Sequence, residues 1–307
     1  MSENAEPEKK VASEPVESES NPAVHRPVKT PMYEAFHAER YYRQAQIKKI
    51  EEKTGNKLIC YVAASGASIT REDTIGIAEL LHNIELNSNI DLLLHTGGGD
   101  IAAAEKIVSM LRKKAARFRV IVPDFAKSAG TLIATAADKI VMSDSSELGP
   151  IDPQFQLKGS DGITRWHSVS NYLQAYKDIC NKLRENSDDA PAKVLLSKFE
   201  PTTVVQFEAI CERARVLAEN HLKRWMLQPN GGNYTKISSD LMNTSRWLAH
   251  DQMINSDDAK EMGLEIEYMD PMSETWRRYW SLYCLLRLAL KDGGKLFEAA
   301  YASLPME

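Results

Sequence analysis

The stretch Asn89–Leu111, NIDLLLHTGGGDIAAAEKIVSML, contains the pattern that most clearly indicates the fold. A short apolar run meets three consecutive glycines, Gly97–Gly99, and apolar residues then recur at helical spacing, so the stretch predicts a buried strand, a turn and an amphipathic helix. Glycine lets the backbone approach a ligand closely, and the amides at a helix N-terminus have no partner inside the helix. The turn is therefore a candidate site for a carbonyl oxygen or an anion.

A phosphate-binding loop is the competing interpretation of the glycine turn. The Gly-Lys-Ser/Thr ending of a Walker motif is absent, and Asp100 follows the glycines, where a carboxylate would repel phosphate. The GxGxxG fingerprint of dinucleotide-binding proteins is absent as well. The sequence therefore predicts neither a dehydrogenase nor a nucleotide-driven motor, and no cofactor is expected.

The stretch Phe118–Asp144, FRVIVPDFAKSAGTLIATAADKIVMSD, predicts a second strand followed by a helix of small residues, with Ser128 at the elbow between them. Serine at such a position is commonly a helix cap. It is also where a nucleophile would sit, provided that two backbone amides face the developing oxyanion. The amides of Gly99 and Ala129 are the candidates for this oxyanion hole. The two stretches together favour the nucleophile over the cap.

These motifs resemble a known group of proteins. TGGGDI, AKSAGTLIATAADKIVMSDSSELGPIDPQ and INSDDAKEMGL occur in the order typical of the Clp peptidase and signal-peptide peptidase superfamily, and within it of the serine dehydrogenase proteinase family. The resemblance covers roughly Tyr33–Asp270. It implies an α/β protein with a Clp/crotonase-like αββ spiral core and additional C-terminal helices. In that family the oxyanion glycine precedes the nucleophile by 29 positions, as Gly99 precedes Ser128 here.

The resemblance also implies an acid, Asp251. Clp peptidases carry an aspartate eight positions before the alanine of a motif like EAkeyGL, and Asp251 stands eight positions before Ala259. The general base has no direct counterpart. Where Clp peptidases place a histidine, this chain has Ile151 and Asp152.

We predict His167 as the base. Related peptidases place a catalytic lysine just before a helix that begins Asn-Tyr, and here His167 lies just before Asn171 and Tyr172. An unperturbed imidazole titrates near neutrality, whereas a lysine must be desolvated to act as a base. A surface histidine near a helix N-terminus is the alternative interpretation. Further candidates stay open at Lys158, Lys177, His250, His95 and Asp152.

The predicted function is a serine peptidase that cleaves peptides or proteins through an acyl-enzyme on Ser128. Two alternatives remain open: a peptide-binding or scaffold protein in which Ser128 is only a cap, and a crotonase-type enzyme acting on acyl-CoA. The resemblance implies a homo-oligomer, because helices of this region form subunit contacts in the superfamily. A separate ATPase could feed substrate to the site.

Composition fits an enzyme in the cytoplasm. The chain has 307 residues and a formal net charge of −5, which argues against a nucleic-acid partner. Its four cysteines are dispersed, without the spacing of a metal site or a disulfide framework, so we expect reduced thiols and no metal. No apolar run reaches the ~18 residues of a membrane span, so no integral membrane segment is expected.

Four segments are expected along the chain. Residues 1–30 are polar and lack aromatic residues, which predicts a disordered tail. Residues 31–56 form an N-terminal helix, residues 57–270 the peptidase domain, and residues 271–307 a C-terminal helical extension. The extension contains WRRYWSLYCLLRLAL, Trp276–Leu290, whose aromatic stripe suits a subunit interface, a lid over the core or a membrane surface.

Overall fold

A computed structural model describes Met1 and residues 29–158, 161–228, 230–243, 246–247, 251–290 and 293–306. Most of the predicted disordered tail, residues 2–28, therefore lies outside the described residues. The chain divides into two compact units, Met1–Ala38 and Glu39–Glu307. The first contains helix α1, Pro31–Phe36, which begins with proline at its first position.

Eleven strands occur in the described residues. They are β1 (Lys57–Ala63), β2 (Ser88–His95), β3 (Ala115–Ile121), β4 (Phe125–Ala126), β5 (Lys139–Met142), β6 (Glu147–Leu148), β7 (Gln154–Lys158), β8 (Thr164–Ser168), β9 (Ile266–Tyr268), β10 (Lys295–Ala299) and β11 (Ser303–Met306).

The helices that follow α1 in the described residues are α2 (Ala38–Thr54), α3 (Asp73–His82), α4 (Ile101–Lys114), α5 (Ala129–Thr135), α6 (Val169–Glu185), α7 (Ala190–Leu196), α8 (Pro201–His221), α9 (Tyr234–Leu241), α10 (Ser256–Met262) and α11 (Glu274–Ala289). A five-residue π-helix, Leu222–Met226, continues α8. In the described part of the chain, no helix is long and apolar enough to cross a bilayer.

The main sheet has the strand order β11-β10-β1-β2-β3-β5-β9. Five strands are parallel to one another: β1, β2, β3, β5 and β9. At the edge next to β1, strand β10 pairs antiparallel with β1, and β11 pairs antiparallel with β10. The central strand β2 is an apolar run because both of its faces are covered. The predicted α/β class is confirmed.

A second, smaller layer of strand pairing repeats beside the carboxyl ends of the parallel strands. Ile69 bridges Gly99, Thr96 bridges Ala126, and β4 pairs with β6, all in parallel. Each turn of the chain thus gives a long strand, a short strand or bridge, and then a helix. This repeat is the αββ spiral predicted from the sequence. It places the end of β2 directly beside the start of α5, where Ser128 lies.

The apolar core occupies both faces of the main sheet. On one face Leu92 and Leu94 of β2 join a cluster with α3, α4, α5 and α8. On the other face Leu93 joins a cluster that includes residues of α2 and α11. This alternation follows from the period of two along a strand. The helices that begin at the glycine turn and at Ser128 therefore pack on the same face.

The C-terminal region differs from the purely helical extension expected for residues 271–307. Helix α11 is present, but β10 and β11 return to the main sheet and β10 pairs with β1. Phe297 of β10 is fully buried and stacks on Tyr61 of β1, with ring centroids 4.6 Å apart. The apolar side chains of this strand complete the core, so the segment is part of the fold.

Candidate active site

Ser128 occupies a strained elbow between β4 and α5. Its backbone has φ 51° and ψ −115°, a conformation that residues with a Cβ rarely adopt. Its side chain makes no capping hydrogen bond to the first turn of α5. The cap interpretation is therefore not supported by the contacts of Ser128. A strained serine between a strand and a helix has the geometry of a nucleophile elbow.

The glycine turn packs directly against this elbow through Gly98. A Cβ at Gly98 would lie 2.7 Å from Cβ of Ser128 and 2.8 Å from the carbonyl oxygen of Lys127. Gly98 also has φ 103°, which favours glycine. Gly99, with φ 147°, faces the backbone of Ile69, where a Cβ would collide. The contact with Ser128 thus requires glycine at position 98.

The backbone N–H groups around the elbow differ in whether they have a hydrogen-bond acceptor. Gly98 donates its N–H to Oγ1 of Thr96 at 3.1 Å, and Gly130 donates to the carbonyl of Lys127 at 2.7 Å. The N–H groups of Gly99 and Ala129 have no acceptor among the described residues. A Cβ built at Gly98 would lie 3.2 Å from the Ala129 nitrogen, so the two free amides belong to one locality. Two unpaired donors beside a serine can receive a substrate oxygen.

Lys127 anchors the elbow from the other side. Its side chain is 9% exposed and forms an ion pair of 2.9 Å with Glu147. Its ammonium also donates to the carbonyls of Leu148 at 3.3 Å, Asp251 at 3.2 Å and Gln252 at 3.4 Å. One lysine therefore holds two separate loops against the residue that precedes Ser128.

Thr131 connects α5 to β4 and to the segment that follows β6. Its Oγ1 lies 2.8 Å from the carbonyl oxygens of both Ala126 and Gly149, and its single proton is donated to one of them at a time. The N–H of Gly149 lies 3.2 Å from the same oxygen. The segment that follows β6 is thus fixed to the first turn of α5.

Asp251, the predicted acid, lies in one of the loops held by Lys127. Its backbone oxygen accepts from Lys127, and three residues later Ile254 pairs with Leu148 in both directions, at 2.9 and 3.0 Å. The side chain of Asp251 is exposed. The structure therefore brings the backbone of Asp251 to the elbow, on the side of Lys127.

His167, the predicted base, lies elsewhere in the local fold. It is an exposed residue of β8, paired across the hairpin with Phe155 of β7, and the two rings are 5.9 Å apart. Within the described residues, no hydrogen bond or ion pair joins His167 to Ser128. The next residue, Ser168, caps α6 and donates to buried Asp152 at 2.9 Å. The hairpin base is therefore fixed, while His167 projects from the strand.

The other candidates also lie away from direct contact with Ser128 in the described structure. Lys158 is an exposed residue at the end of β7, and Lys177 lies on α6. His250 lies outside the described residues. Among the residues that are described, no group of His, Cys, Asp and Glu is arranged to hold a metal ion.

His95 is a buried residue at the end of β2, on the sheet face that carries α11. Nδ1 lies 3.3 Å from the hydroxyl of Tyr283 and 3.7 Å from Asp124, and Tyr283 donates to Asp124 at 2.5 Å. Burial lowers the pKa of His95 to about 4, so the ring is neutral at pH 7. Burial and the bond to Asp124 raise the pKa of Tyr283. This cluster joins α11 to the sheet, so His95 has a structural role in the core.

Sequence reasoning missed two residues of this site, Gly98 and Lys127. Three adjacent glycines do not reveal which one touches the elbow, because the contact depends on a strand that arrives from elsewhere. Lys127 is a polar residue inside a run of small residues, and that position next to Ser128 was the available signal.

Comparisons with known proteins relate part of the chain to a described family. Residues 37–165 match the family model described as the ClpP-like SDH-type serine proteinase. The matched segment contains the glycine turn and Ser128, and ends before His167 and Asp251. Two curated relatives come from Methanocaldococcus jannaschii. Uncharacterized protein MJ0137 is 32% identical over 199 residues, which are 65% of this chain and 60% of the relative.

The second relative, uncharacterized protein MJ1495, is 27% identical over 230 residues, covering 72% of this chain and 70% of its own. The chain thus spans 60% of the length of the first of these relatives. A mutant of the 1510-N membrane-bound stomatin-specific protease aligns with a TM-score of 0.41 at 18% identity, over 73% of this chain and 84% of its own.

ClpP1 from Listeria monocytogenes aligns with a TM-score of 0.39 at 12% identity, over 76% of this chain and 96% of its own. The resemblance predicted from the sequence is confirmed by the match to the family model: residues 37–165, which hold the glycine turn and the Ser128 elbow, are similar to the ClpP-like SDH-type serine proteinases.

Proposed function

We propose that this protein is a serine-type endopeptidase with Ser128 as its nucleophile. The general base takes the proton of the Ser128 hydroxyl as its oxygen attacks the scissile carbonyl carbon, and it passes that proton to the amine as the C–N bond breaks. Water, deprotonated by the same base, then hydrolyses the acyl-enzyme and restores the free serine. The family match supports a serine peptidase, and the elbow supplies the residue that the reaction needs.

One observation carries the proposal: a strained serine faces a glycine turn, and the amides of Gly99 and Ala129 are free among the described residues. Gly98 already donates to Thr96, whereas the N–H of Gly99 has no acceptor among the described residues and can bind the substrate oxygen. Ala129 supplies the second N–H from the first turn of α5. Fixed donors of this kind stabilise the negative charge that develops on the carbonyl oxygen.

His167 and Asp251 complete the proposed catalytic set as base and acid. Asp251 is supported by the loop that Lys127 holds beside the elbow. His167 is supported by its place before α6 and by the ordinary chemistry of imidazole. In the described chain it makes no bond to Ser128, so this role requires the β7–β8 hairpin to approach the elbow when substrate binds, or a hairpin from a second copy.

We further propose that the protein works as a homo-oligomer in the cytoplasm on peptide or protein substrates. The oligomer is implied by the family resemblance, and all four cysteines are free thiols, as a reducing compartment requires.

Digestion of an unfolded protein tests the function. The full chain and Ser128→Ala are incubated with denatured casein, and the products are identified by mass spectrometry. We expect defined new peptide termini with the native chain and none with the variant. Equal products from both proteins would exclude Ser128. Absence of cleavage by a folded oligomer, together with retained peptide binding, would favour the scaffold alternative, and turnover of an acyl-CoA thioester would favour the crotonase alternative.

A further inference from the structure

A cavity of about 850 Å³ lies at the opposite end of α5 from Ser128. It is lined by residues from the second half of α4, the end of α8 and the π-helix. Its size falls in the range of small-molecule sites, about 300–1,000 Å³. Ser128 is not among its lining residues. The cavity is therefore separate from the proposed peptidase site.

Cations dominate the lining of this cavity. Arg112 and Lys113 contribute from α4, and Lys223 and Arg224 from the π-helix. The one acidic residue of the lining, Glu105, is paired with Arg213 at 2.7 Å. Lys113, Lys223 and Arg224 have no carboxylate partner among the described residues. The chain as a whole has a formal net charge of −5, whereas these three side chains make the surroundings of the cavity positive.

Arg112 places a mostly enclosed guanidinium beside the cavity. Its side chain is 8% exposed. Nε donates a hydrogen bond to the carbonyl of Ala136 at 2.7 Å, and Nη2 donates to the carboxylate of Asp138 at 2.8 Å. Nη1 has no partner in the part of the chain that is described. The guanidinium also lies over the ring of Trp225, 4.8 Å from its centroid. Its orientation is thus fixed, with an N–H group left available.

Helix-end electrostatics explains only part of this arrangement. Basic residues in the last turn of a helix interact favourably with its dipole, and α4 ends with Arg112, Lys113 and Lys114. Lys114 turns away from the cavity and donates to the carbonyl of Ile84 at 2.8 Å. Lys223 and Arg224 come from a different helix. π-helical turns are rare and are often found at functional sites.

We propose that this cavity binds a small anion bearing two or more phosphate groups. A fixed guanidinium and flexible ammonium groups are the side chains that recognise phosphate oxygens. Val108, Leu217 and Trp225 form the apolar side of the cavity, and the ring of buried His221 lies beside that of Trp225. His221 also joins the cavity to α5, because its Nδ1 lies 3.1 Å from the carbonyl of Leu132 and 3.4 Å from Oγ1 of Thr135. This site does not depend on the peptidase activity proposed above.

Calorimetric titration of the full chain with sodium tripolyphosphate tests the proposal. The test variant is Lys113→Gln/Lys223→Gln/Arg224→Gln, which removes three exposed charges. The matched control is Lys182→Gln/Lys198→Gln/Lys236→Gln, which removes three exposed charges elsewhere. We expect one site per chain, with affinity lowered roughly tenfold or more in the test variant and unchanged in the control, because charge-assisted hydrogen bonds to phosphate are lost.

Titration with ATP distinguishes two sources of the phosphate groups. Equal affinity for ATP and tripolyphosphate would show that the phosphate chain alone is recognised, and tighter ATP binding would place the nucleoside against Trp225. No binding of either compound would overturn the proposal, as would equal affinity of the test variant and the native chain. Tighter binding of hexaglutamate would also overturn it, since the cavity would then bind an acidic peptide. Light scattering on each variant verifies that the oligomeric state is unchanged, and a change in mass confined to the test variant would identify a subunit contact.

Discussion

The Ser128 elbow is held in place by many contacts, whereas the β7–β8 hairpin has few contacts and is largely exposed. The elbow is enclosed: Gly98 contacts Ser128, Lys127 holds two loops, and Thr131 joins α5 to the segment after β6. The hairpin is exposed along most of its length, and its side chains Leu157 and Trp166 are 43% and 63% accessible. Its main contact with the rest of the chain is Phe155, whose ring centroid lies 4.3 Å from that of Phe207.

This contrast separates the parts of the proposed reaction. Nucleophile and oxyanion donors need exact placement before substrate arrives, because their stabilising effect depends on fixed geometry. They are built from the ends of parallel strands and the first turns of helices. The proposed base lies on a peripheral hairpin, where its approach to Ser128 requires movement or a second copy. The elbow is already assembled in the described chain, whereas the proposed base makes no contact with it.

Replacing His167 tests this contrast most severely. His167→Ala is expected to slow acylation by about 10²–10⁴-fold, the usual contribution of a general base. The measurement is the rate of labelling of Ser128 by a fluorophosphonate, with Trp166→Ala as the control on the same exposed strand. An unchanged rate for His167→Ala would transfer the role to Lys158 or Lys177, which the corresponding alanine variants would then test.

Filling the contact between the glycine turn and the elbow should have the next largest effect. Gly98→Ala places a methyl group 2.7 Å from Cβ of Ser128 at a φ of 103°, so the turn must shift. We expect labelling to fall by about 10²–10³-fold, as when an oxyanion donor is lost. Gly97→Ala is the matched control, because a Cβ there meets no atom within 4 Å. Equal rates for the two variants would contradict the proposed geometry.

Removing the anchor should loosen the elbow and lower stability together. Lys127→Met removes the cation that pairs with Glu147 and the donor that the carbonyls of Asp251 and Gln252 accept, whereas the carbonyl of Leu148 keeps the N–H of Ile254. Glu147 is 26% exposed, so solvent compensates part of the loss. We expect a loss of about 2–3 kcal/mol in the free energy of unfolding and roughly tenfold slower labelling. Urea denaturation measures the first effect. Lys139→Met, at an exposed position, should change neither quantity.

The buried histidines should make stability depend on pH. Burial lowers the pKa of His95 and of His221 from an ordinary 6.5 to about 4. Between these values the unfolded chain binds more protons than the folded one, so stability is fully present above about pH 6.5 and falls as pH drops toward 4. Each histidine should account for about 1–3 kcal/mol.

Urea midpoints measured across this window test the assignment. His221→Gln should flatten the dependence, and exposed His82→Gln should leave it as in the native chain. If His221→Gln retained the full slope, other groups would have to carry the transition.

Much of the fold was predictable because its signals are local. The strand, turn and helix around Gly97–Gly99 follow from an apolar run, a glycine cluster and helical spacing. Helix α10 ends at Met262, and Gly263 follows in the left-handed conformation with φ 98°, as the sequence predicts for a glycine stop. The position of Ser128 between a strand and a helix of small residues was predicted in the same way. Each of these inferences depends on a few adjacent residues.

The remaining features depend on contacts between distant segments. The return of β10 to pair with β1 was missed, since residues 295–299 carry no signal that names their partner strand. The same reason hides Gly98 among three glycines. Lys113 and Lys223 lie in separate helices, and only folding brings their charges to one cavity. His167 was chosen from its distance to α6, and sequence distance does not show how far a hairpin carries a side chain from the elbow.

Intact-mass spectrometry after treatment with a fluorophosphonate tests the central claim most directly, since it reports whether Ser128 is an activated nucleophile without requiring the natural substrate. We expect a single adduct on the native chain and none on Ser128→Ala. An adduct that persists in the variant, or no adduct on a folded and assembled native protein, would contradict the assignment of Ser128 as the nucleophile.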